Sequence, residues 1–270
     1  PVPLSIATWN INSVRLRIDS VRQCLHMAAP DVLCLHETKC PDSEFPRSAF
    51  AKSGYDHILH RGMKGYNGVA IVSRHPLRAL EPLSFCARDD ARHIAAVIDH
   101  GRGEPVAVHN LYVPAGGDIP DREENPKFGH KLDFLTELTS WAEHNRDANR
   151  RAVLVGDLNI APFESDVWSH KALLKVVSHT PLECDTLNRL RETGGWTDAI
   201  RHLTPEPERI YTWWSYRSPD WASADKGRRL DHVWIGSDLV PALERWHVLR
   251  EARGWTQPSD HVPLMVTLQV

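Results

Sequence analysis

Two stretches of the chain repeat one order of apolar patterns: a strand-like run, a helical run and a second strand-like run. The first begins at residues 4–9 and ends in "DVLCLHET". Between them, apolar side chains at helical spacing predict a helix that starts at Val14 and stops at Pro30. The second passes from "VAVHNLYVP" through a helix predicted over 126–145 to "AVLVGDLN", on the usual helix and strand periodicities. Each unit ends in an acidic residue, Glu37 or Asp157.

Further short β-like runs separate and follow these units. They are "GVAIVS", "HIAAVID", "YTWWSY", "RLDHVWI" and "HVPLMVTLQV". Many strands with a few interspersed helices predict an α/β fold of two mixed β-sheets that pack face to face and are flanked by helices. Because no linker or low-complexity tract marks a boundary, we expect one domain over residues 1–270.

The composition is typical of a globular protein without an overall positive charge. The 270 residues are 41% hydrophobic and 25% charged with a formal net charge of −3, so a surface for a polyanion must be a local patch. The five cysteines are odd in number and lack CxxC spacing, which indicates reduced thiols. No apolar run has the length of a membrane span, and "PVPLSIATWN" leaves no room for a signal peptide. These features predict a cytoplasmic protein.

Polar side chains recur where the predicted strands end. Residues two apart on a strand share a face, so Asp157 and Asn159 should point the same way as the apolar side chains before them. Any one such residue is also explained as a turn or a cap. Asp231 is harder to explain so, because it shares a face with Val233 and Ile235 and a buried carboxylate needs a partner. A histidine is the natural candidate.

The available ligand types favour a hard cation. Three acids (Glu37, Asp157 and Asp260), nearby carboxamides and no clustered thiols suit Mg²⁺, for which Mn²⁺ could substitute. The sequence has no HExxH zinc motif, "GMKGYNG" lacks the ending of a P-loop, and no GxSxG elbow accompanies Ser259–Asp260–His261. Metal-bound carboxylates with a histidine and a phenol predict phosphoester hydrolysis.

Eight stretches, in order from about residue 5 to the C-terminus, resemble the exonuclease III family of abasic-site DNA endonucleases, in the endonuclease/exonuclease/phosphatase superfamily. They are "TWNINSVR", "HETK", "GYNGVAIVS", "LYVP", "GDLNIAP", "YTWWSYR", "GRRLDHVW" and "PSDHVPL". The resemblance implies a four-layer αββα sandwich. It also implies cleavage of the DNA backbone 5′ to abasic sites, leaving a 3′-OH, with 3′-5′ exonuclease and 3′-phosphatase activity.

The resemblance also implies roles for single residues. Glu37 would be the principal metal ligand with Asn10 and Asp260 close to the ion, and Asp157 and Asn159 complete the expected metal-binding set.

The same resemblance assigns the catalytic roles. Asp157 would position or deprotonate the attacking water, Asn159 would hold that water or the phosphate, and His261 would bind the scissile phosphate, oriented by Asp231. Tyr112 would contact the phosphate or assist the leaving oxygen. The base could be Asp157, His261 or Tyr112; we favour Asp157 because a carboxylate is ionised at neutral pH and a free phenol, with a pKa of roughly 10, is not.

DNA contacts are expected from the aromatic and basic stretches. Trp213 would wall the pocket for the baseless sugar with Leu230 beside it, and Trp214 is a weaker choice; both tryptophans could instead fill the core. The helix that Asn125 and Pro126 begin carries lysines in its first turns, which suggests a bound phosphate unless Glu123 and Glu124 neutralise them. The expected DNA-binding residues are Lys127, Lys131, Trp213, Arg217, Arg228 and Leu230.

The expected partner is double-stranded DNA with abasic sites or blocked 3′ ends, bound by a monomer. Two rival hypotheses are a phosphodiesterase or phosphatase of the same superfamily that acts on an inositol phosphate or a sphingolipid, and a DNA-binding module without activity. Some residues depart from the family pattern and leave the shape of the sugar pocket open. They are His36, Ala115, Asp225 and Arg228.

Overall fold

A computed structural model describes residues 2–270 of the chain. Within this part of the chain there are twelve strands and seven α-helices. The strands are β1 Pro3–Asn10, β2 Val32–His36, β3 His57–Arg61, β4 Val69–Ser73, β5 Leu77–Ala79, β6 His93–Ile98, β7 Val106–Tyr112, β8 Ala152–Asp157, β9 Thr197–Asp198, β10 Asp231–Ile235, β11 Leu243–Val248 and β12 Leu264–Gln269. The helices are α1 Ile18–Met27, α2 Arg47–Lys52, α3 Pro126–His144, α4 His170–Leu173, α5 Pro181–Thr193, α6 Ala199–Leu203 and α7 Trp221–Ala224.

The strands form two six-stranded sheets, in the orders β11-β12-β1-β2-β4-β3 and β5-β6-β7-β8-β10-β9. Each sheet contains one parallel pair, β1 with β2 and β7 with β8, and the other neighbours are antiparallel. The parallel pairs are the two strand–helix–strand units, because a crossover helix returns the chain in the same direction. Two mixed sheets flanked by helices confirm the predicted fold class.

The two sheets share an apolar interior built from alternate residues of their strands. Val153 and Val155 of β8 belong to this inner cluster, whereas Leu154 packs on the outer side with α3 and α5 residues. Each fully buried aliphatic side chain contributes about 1.5–3 kcal/mol. Because Asp157 follows Val155 by two positions, its carboxylate enters the space between the sheets at their edge.

The two crossover helices begin differently. Asn125 caps α3 as expected, since its side chain accepts a hydrogen bond from the Lys127 amide, and Pro126 is the first helical residue. Helix α1 begins at Ile18, so the prediction of helical structure from Val14 was wrong. Val14 is fully buried in the preceding turn, which explains its apolar spacing without a helix there.

The stretch "YTWWSY" is not a strand. Two isolated bridges join Trp213 to Arg228 and to His261. The Thr212 hydroxyl accepts hydrogen bonds from the amides of Leu230 and Asp231. The segment crosses the end of β10 instead of extending a sheet. Within residues 2–270, no helix is both long enough and apolar enough for a membrane span, and the five cysteines are free.

Buried neutral histidines give the fold a specific acid sensitivity. Burial lowers the pKa of His109 to about 4, whereas a histidine in an unfolded chain has a pKa of about 6.5. The stability that His109 contributes is therefore fully present above about pH 6.5 and lost as the pH falls toward 4. We expect His109→Gln to reduce the loss of unfolding free energy between pH 7 and pH 4.5, measured by urea unfolding.

The exposed His247 supplies the matched control. His247→Gln should leave the difference between the two pH values as it is in the wild-type protein. Equal pH dependence in the His109 variant and the wild type would contradict this assignment.

Candidate active site

The carboxyl ends of both parallel pairs meet at one edge of the sandwich. A cleft of about 960 Å³ opens there, and Glu37, Tyr112, Asp157 and His261 line it. Gly156 permits this approach: it has φ +155°, and a β-carbon at this position would overlap the carbonyl oxygen of Leu111 on the neighbouring strand. The glycine in "GDLN" therefore lets β8 lie against β7 directly before Asp157.

Glu37 occupies a constrained position just beyond β2. Its backbone is left-handed (φ +51°), and its Oε1 atom accepts hydrogen bonds from Asn10 Nδ2 (2.9 Å) and the Tyr112 hydroxyl (2.7 Å). Burial raises the pKa of the Glu37 carboxyl. The hydrogen bonds from Asn10 and Tyr112 and the charge of Lys39 lower this pKa by more than burial raises it, so the net pKa lies below its usual range. Glu37 is therefore an ionised acid with a second oxygen, Oε2, 3.5 Å from Lys39 Nζ.

A row of three ionisable side chains lies beside it. Asp231 and Asp157 are register partners across β10 and β8, and His261 contacts both: its Nδ1 is 2.8 Å from Asp231 Oδ2 and its Nε2 is 3.4 Å from Asp157 Oδ2. All three are at most 5% exposed. The histidine partner predicted for Asp231 is confirmed.

Charge coupling in this row sets its protonation. Burial lowers the pKa of His261, but the charges of Asp231 and then Asp157 raise it well above its usual value. Burial raises the pKa of Asp157 to about 7, with His261 acting in the opposite direction. The imidazolium thus lies between two carboxylates, and Asp157 is poised to exchange a proton near neutral pH.

Tyr112 is a hydrogen-bond donor in this site. Burial, followed by the charges of Glu37 and Asp157, raises its pKa well above 10. The Arg92 guanidinium lies over the phenol ring, 5.1 Å from its centre, and stabilises the position of the ring. A phenol held in its neutral form can donate to an oxyanion but is a poor base.

The two carboxamides have separate partners. Asn10 Nδ2 also donates to Asp157 Oδ2 (2.9 Å), while its Oδ1 accepts from the Asn12 amide (3.1 Å). Asn159 lies beyond β8 with φ +53°, so its position does not continue the strand alternation from which its direction was predicted. Its Nδ2 donates to the Val113 carbonyl (2.7 Å), and it lines the cleft.

An aromatic and cationic wall bounds the other side of the cleft. Trp213 Nε1 donates to Asp260 Oδ2 (3.0 Å), and the Arg228 guanidinium lies 4.9 Å from the centre of the Trp213 ring. Leu230 and the exposed Arg217 also line the cleft. Trp214, the weaker choice, is 2% exposed and belongs to a core cluster.

Comparisons with known proteins agree with this geometry. The model of the endonuclease/exonuclease/phosphatase family matches residues 7–261. The chain belongs to this family. Exodeoxyribonuclease III of Haemophilus influenzae is 28% identical over 97% of this chain and 98% of its own length.

Two solved structures of family proteins superpose closely on this chain. An AP endonuclease from Archaeoglobus fulgidus has a TM-score of 0.90 and 33% identity, with 99% of this chain and 100% of that chain covered. The 3′ phosphatase NExo from Neisseria, solved as a variant bound to a product DNA hairpin, has a TM-score of 0.88 and 30% identity at the same coverage.

Two of the predicted DNA-binding residues, Lys127 and Lys131, do not line the cleft. Lys131 is fully buried and forms an ion pair with Glu183, so its ammonium group cannot meet a phosphate at the surface. The positive charge of Lys131 near the start of α3, where a helix favours negative charge, is neutralised within the protein by Glu183, which lies 52 residues away in the sequence. Lys127 is exposed, so its ammonium group can contact solvent or a phosphate.

Sequence reasoning assigned no role to several residues that shape the site. Lys39 was visible in the "HETK" stretch and donates to Asn12 Oδ1 (2.6 Å). Ser259 donates to the Asn10 carbonyl (2.6 Å) and accepts from the His261 amide (3.2 Å). No pattern in the sequence marks Arg92, because it lies 20 residues before Tyr112, whose backbone carbonyl accepts a hydrogen bond from its side chain.

The donor set fits a divalent metal ion. Asp157, Asp231 and His261 each offer a ligand atom within 4.8 Å of the others, but an imidazolium paired with Asp231 has no free lone pair for a metal. The remaining donors are carboxylate oxygens, including the partly exposed Oε2 side of Glu37, whose side chain is 22% exposed. Hard oxygen donors of this kind suit a cation such as Mg²⁺ rather than zinc.

The coupling between Asp231 and His261 has a direct test. Asp231→Asn removes the charge that most raises the pKa of His261, so this pKa should fall by about one unit or more. A nuclear magnetic resonance titration of the imidazole protons measures it. Asp260→Asn is the control, since Asp260 contributes least among the named charges. An unchanged His261 pKa in the Asp231 variant would rule out this pairing.

Proposed function

We propose that this chain is a Mg²⁺-dependent DNA repair phosphodiesterase that cleaves the backbone 5′ to abasic sites and leaves a 3′-OH. We further propose 3′-5′ exonuclease and 3′-phosphatase activities at the same site. The observation that carries this proposal is the convergence of Glu37 and the Asp157–His261–Asp231 row in one cleft. The relatives support it, since they are named as an exodeoxyribonuclease, an AP endonuclease and a 3′ phosphatase.

In this proposal the oxygen donors hold the metal ion. Glu37 would be the principal ligand, with Asp260 and Asn10 close to the ion. Asp157 and Asn159 would complete the set, and Mn²⁺ could substitute for Mg²⁺. The bound ion would neutralise the non-bridging phosphate oxygens and the departing alkoxide. The side-chain nitrogen of Asn10 donates to both Glu37 and Asp157, which supports a role for Asn10 in holding these two acids in place.

Side chains of the protein position the water and accept its proton. Asp157 positions the attacking water and accepts its proton, because burial raises the pKa of its carboxyl and makes the carboxylate a stronger base than an exposed aspartate. The His261 imidazolium donates to a phosphate oxygen, and Asp231 orients it. Tyr112 donates a hydrogen bond to the phosphate or to the leaving 3′ oxygen, which takes a proton from solvent to become the 3′-OH. The Asn159 amide holds the water or phosphate from the same side.

The wall of the cleft would bind the DNA. Trp213 and Leu230 provide an apolar face for a sugar without a base, next to Asp260 and His261. Arg228 and Arg217 add positive charge, and Lys127 would contact the backbone nearby.

The proposed enzyme acts as a monomer, since the site as proposed needs no residue from a second copy. The family match includes strands of both sheets, which supports one catalytic domain over residues 1–270. The five free cysteines support a cytoplasmic location.

The decisive experiment uses an end-labelled duplex with one abasic site, incubated with the protein and Mg²⁺ or with EDTA. We expect one incision 5′ to the lesion that EDTA abolishes. Glu37→Gln should lower the Mg²⁺-dependent rate by about two orders of magnitude or more, because it removes the principal ligand charge. DNA binding, measured by fluorescence anisotropy, should persist.

The outcomes separate the rival functions. No incision, together with hydrolysis of an inositol phosphate, would reject the DNA substrate and favour a different branch of the same chemistry. DNA binding without hydrolysis of either substrate would indicate a binding module. A Glu37→Gln variant with wild-type turnover would reject the metal assignment.

Arg217 should contribute through phosphate contact. Arg217→Ala should weaken binding of all duplexes alike and reduce the slope of log affinity against log salt by about 1. Arg102→Ala, which removes an exposed cation that does not line the cleft, is the control. Equal salt slopes for both variants would contradict a phosphate contact at Arg217.

A further inference from the structure

A buried ion pair lies beneath the site and takes no part in the chemistry described above. Lys131 of α3 and Glu183 of α5 have side chains that are 0% exposed. Burial lowers the pKa of Lys131, and Glu183 opposes that effect. Replacing such a pair with apolar residues of similar volume is often neutral or stabilising, so stability alone is a weak explanation for it.

The contacts of Lys131 explain the pair better. An ammonium group has three donors, and Lys131 Nζ donates to the Ala115 carbonyl (3.2 Å), to the Asn159 carbonyl (2.8 Å) and to Glu183 Oε2. Ala115 and Asn159 lie in the loops that follow β7 and β8. Because α3 is the crossover helix between these two strands, its lysine reaches both loops at once.

Glu183 extends the network to a third loop. Both of its oxygens accept from the Ser178 amide (2.9 and 3.0 Å), and Oε1 accepts from the Thr180 hydroxyl (2.8 Å). The Ser178 carbonyl in turn accepts from the Ala161 amide (2.8 Å). Residues 176–178 line the cleft, so one ion pair joins three segments of its rim.

The network leads directly to a reacting group. Asn159, whose carbonyl Lys131 holds, has a left-handed backbone (φ +53°), and its amide donates to Asp157 Oδ1 (3.0 Å). The loop fits tightly around the lysine stem, since a β-carbon at Gly116 would lie 2.8 Å from Lys131 Cδ. Loss of the ammonium group would free the Asn159 peptide and, through it, the orientation of Asp157.

We propose that Lys131 and Glu183 are positioning residues that hold the three loops 113–117, 158–161 and 176–180 in the arrangement required for catalysis. The expected effect on the cleavage rate rests on the proposed function. The structural part, the ordering of the loops, stands on the contacts alone.

The test replaces the pair by apolar residues of similar size, Lys131→Met with Glu183→Leu. Hydrogen exchange with mass spectrometry should be faster by about tenfold or more in the three loops, with β7 and β8 unchanged. The rate at saturating abasic duplex should fall by about 100-fold, the cost of a small misplacement of catalytic groups. DNA affinity and the thermal midpoint should stay close to the wild type.

A second variant covers the case in which the double variant does not fold. Glu183→Gln keeps an oxygen for Ser178 and Thr180 but removes the counter-charge of Lys131. We expect faster exchange in the loop 158–161 and a rate about tenfold lower. The matched control is Arg122→Gln with Asp133→Asn, an exposed ion pair that α3 forms on its outer side, which should change neither readout.

Loop exchange unchanged in the folded variants would overturn the proposal, as would a wild-type rate despite faster exchange. If the wild-type protein fails to cleave the abasic duplex, the proposed function falls, and the exchange measurement still decides the positioning role. A rate loss that follows only the loss of thermal stability would show that the pair is structural and also overturn the proposal.

Discussion

Two carboxylates that face each other across a buried pair of strands repel each other, and a positive charge must offset this repulsion. The site depends on how this chain supplies that charge. Asp231 and Asp157 are direct partners in the β10–β8 register, an arrangement that is destabilising for like charges. His261 enters between them from the loop before β12 and contacts both. The imidazolium makes the two acids tolerable in the interior, and the same three charges place a proton acceptor and a proton donor side by side.

This compensation also links the two sheets. Asn10 on β1 donates to Glu37 beside its own sheet and to Asp157 on the opposite sheet. Trp9 Nε1 donates to the His261 carbonyl (3.0 Å), which fixes the loop that carries the histidine. The catalytic edge is therefore not an addition to the sandwich but the place where its layers are joined by polar contacts. A shift of β1 by one residue would break the contacts that Asn10 and Trp9 make.

Much of this could be predicted from the sequence for simple reasons. Alternation along "AVLVGDLN" predicts that Asp157 points between the sheets, and the apolar face of β10 predicts that Asp231 needs a partner. The order of eight motifs indicates the family. Other features could not be predicted because they depend on contacts between distant segments. The partner of Lys131 lies on α5, and Asn159 leaves the strand in a left-handed conformation that alternation does not predict.

We infer that acidic oxygens from both sheets converge on one divalent cation. Anomalous diffraction from a crystal soaked in Mn²⁺ tests it most directly. We expect a single strong peak in the cleft, with a Glu37 carboxylate oxygen at about 2.1 Å, an ordinary metal–oxygen distance. A cleft without a peak at saturating Mn²⁺, or a peak that is coordinated by His261 and Asp231 and not by Glu37, would contradict this inference.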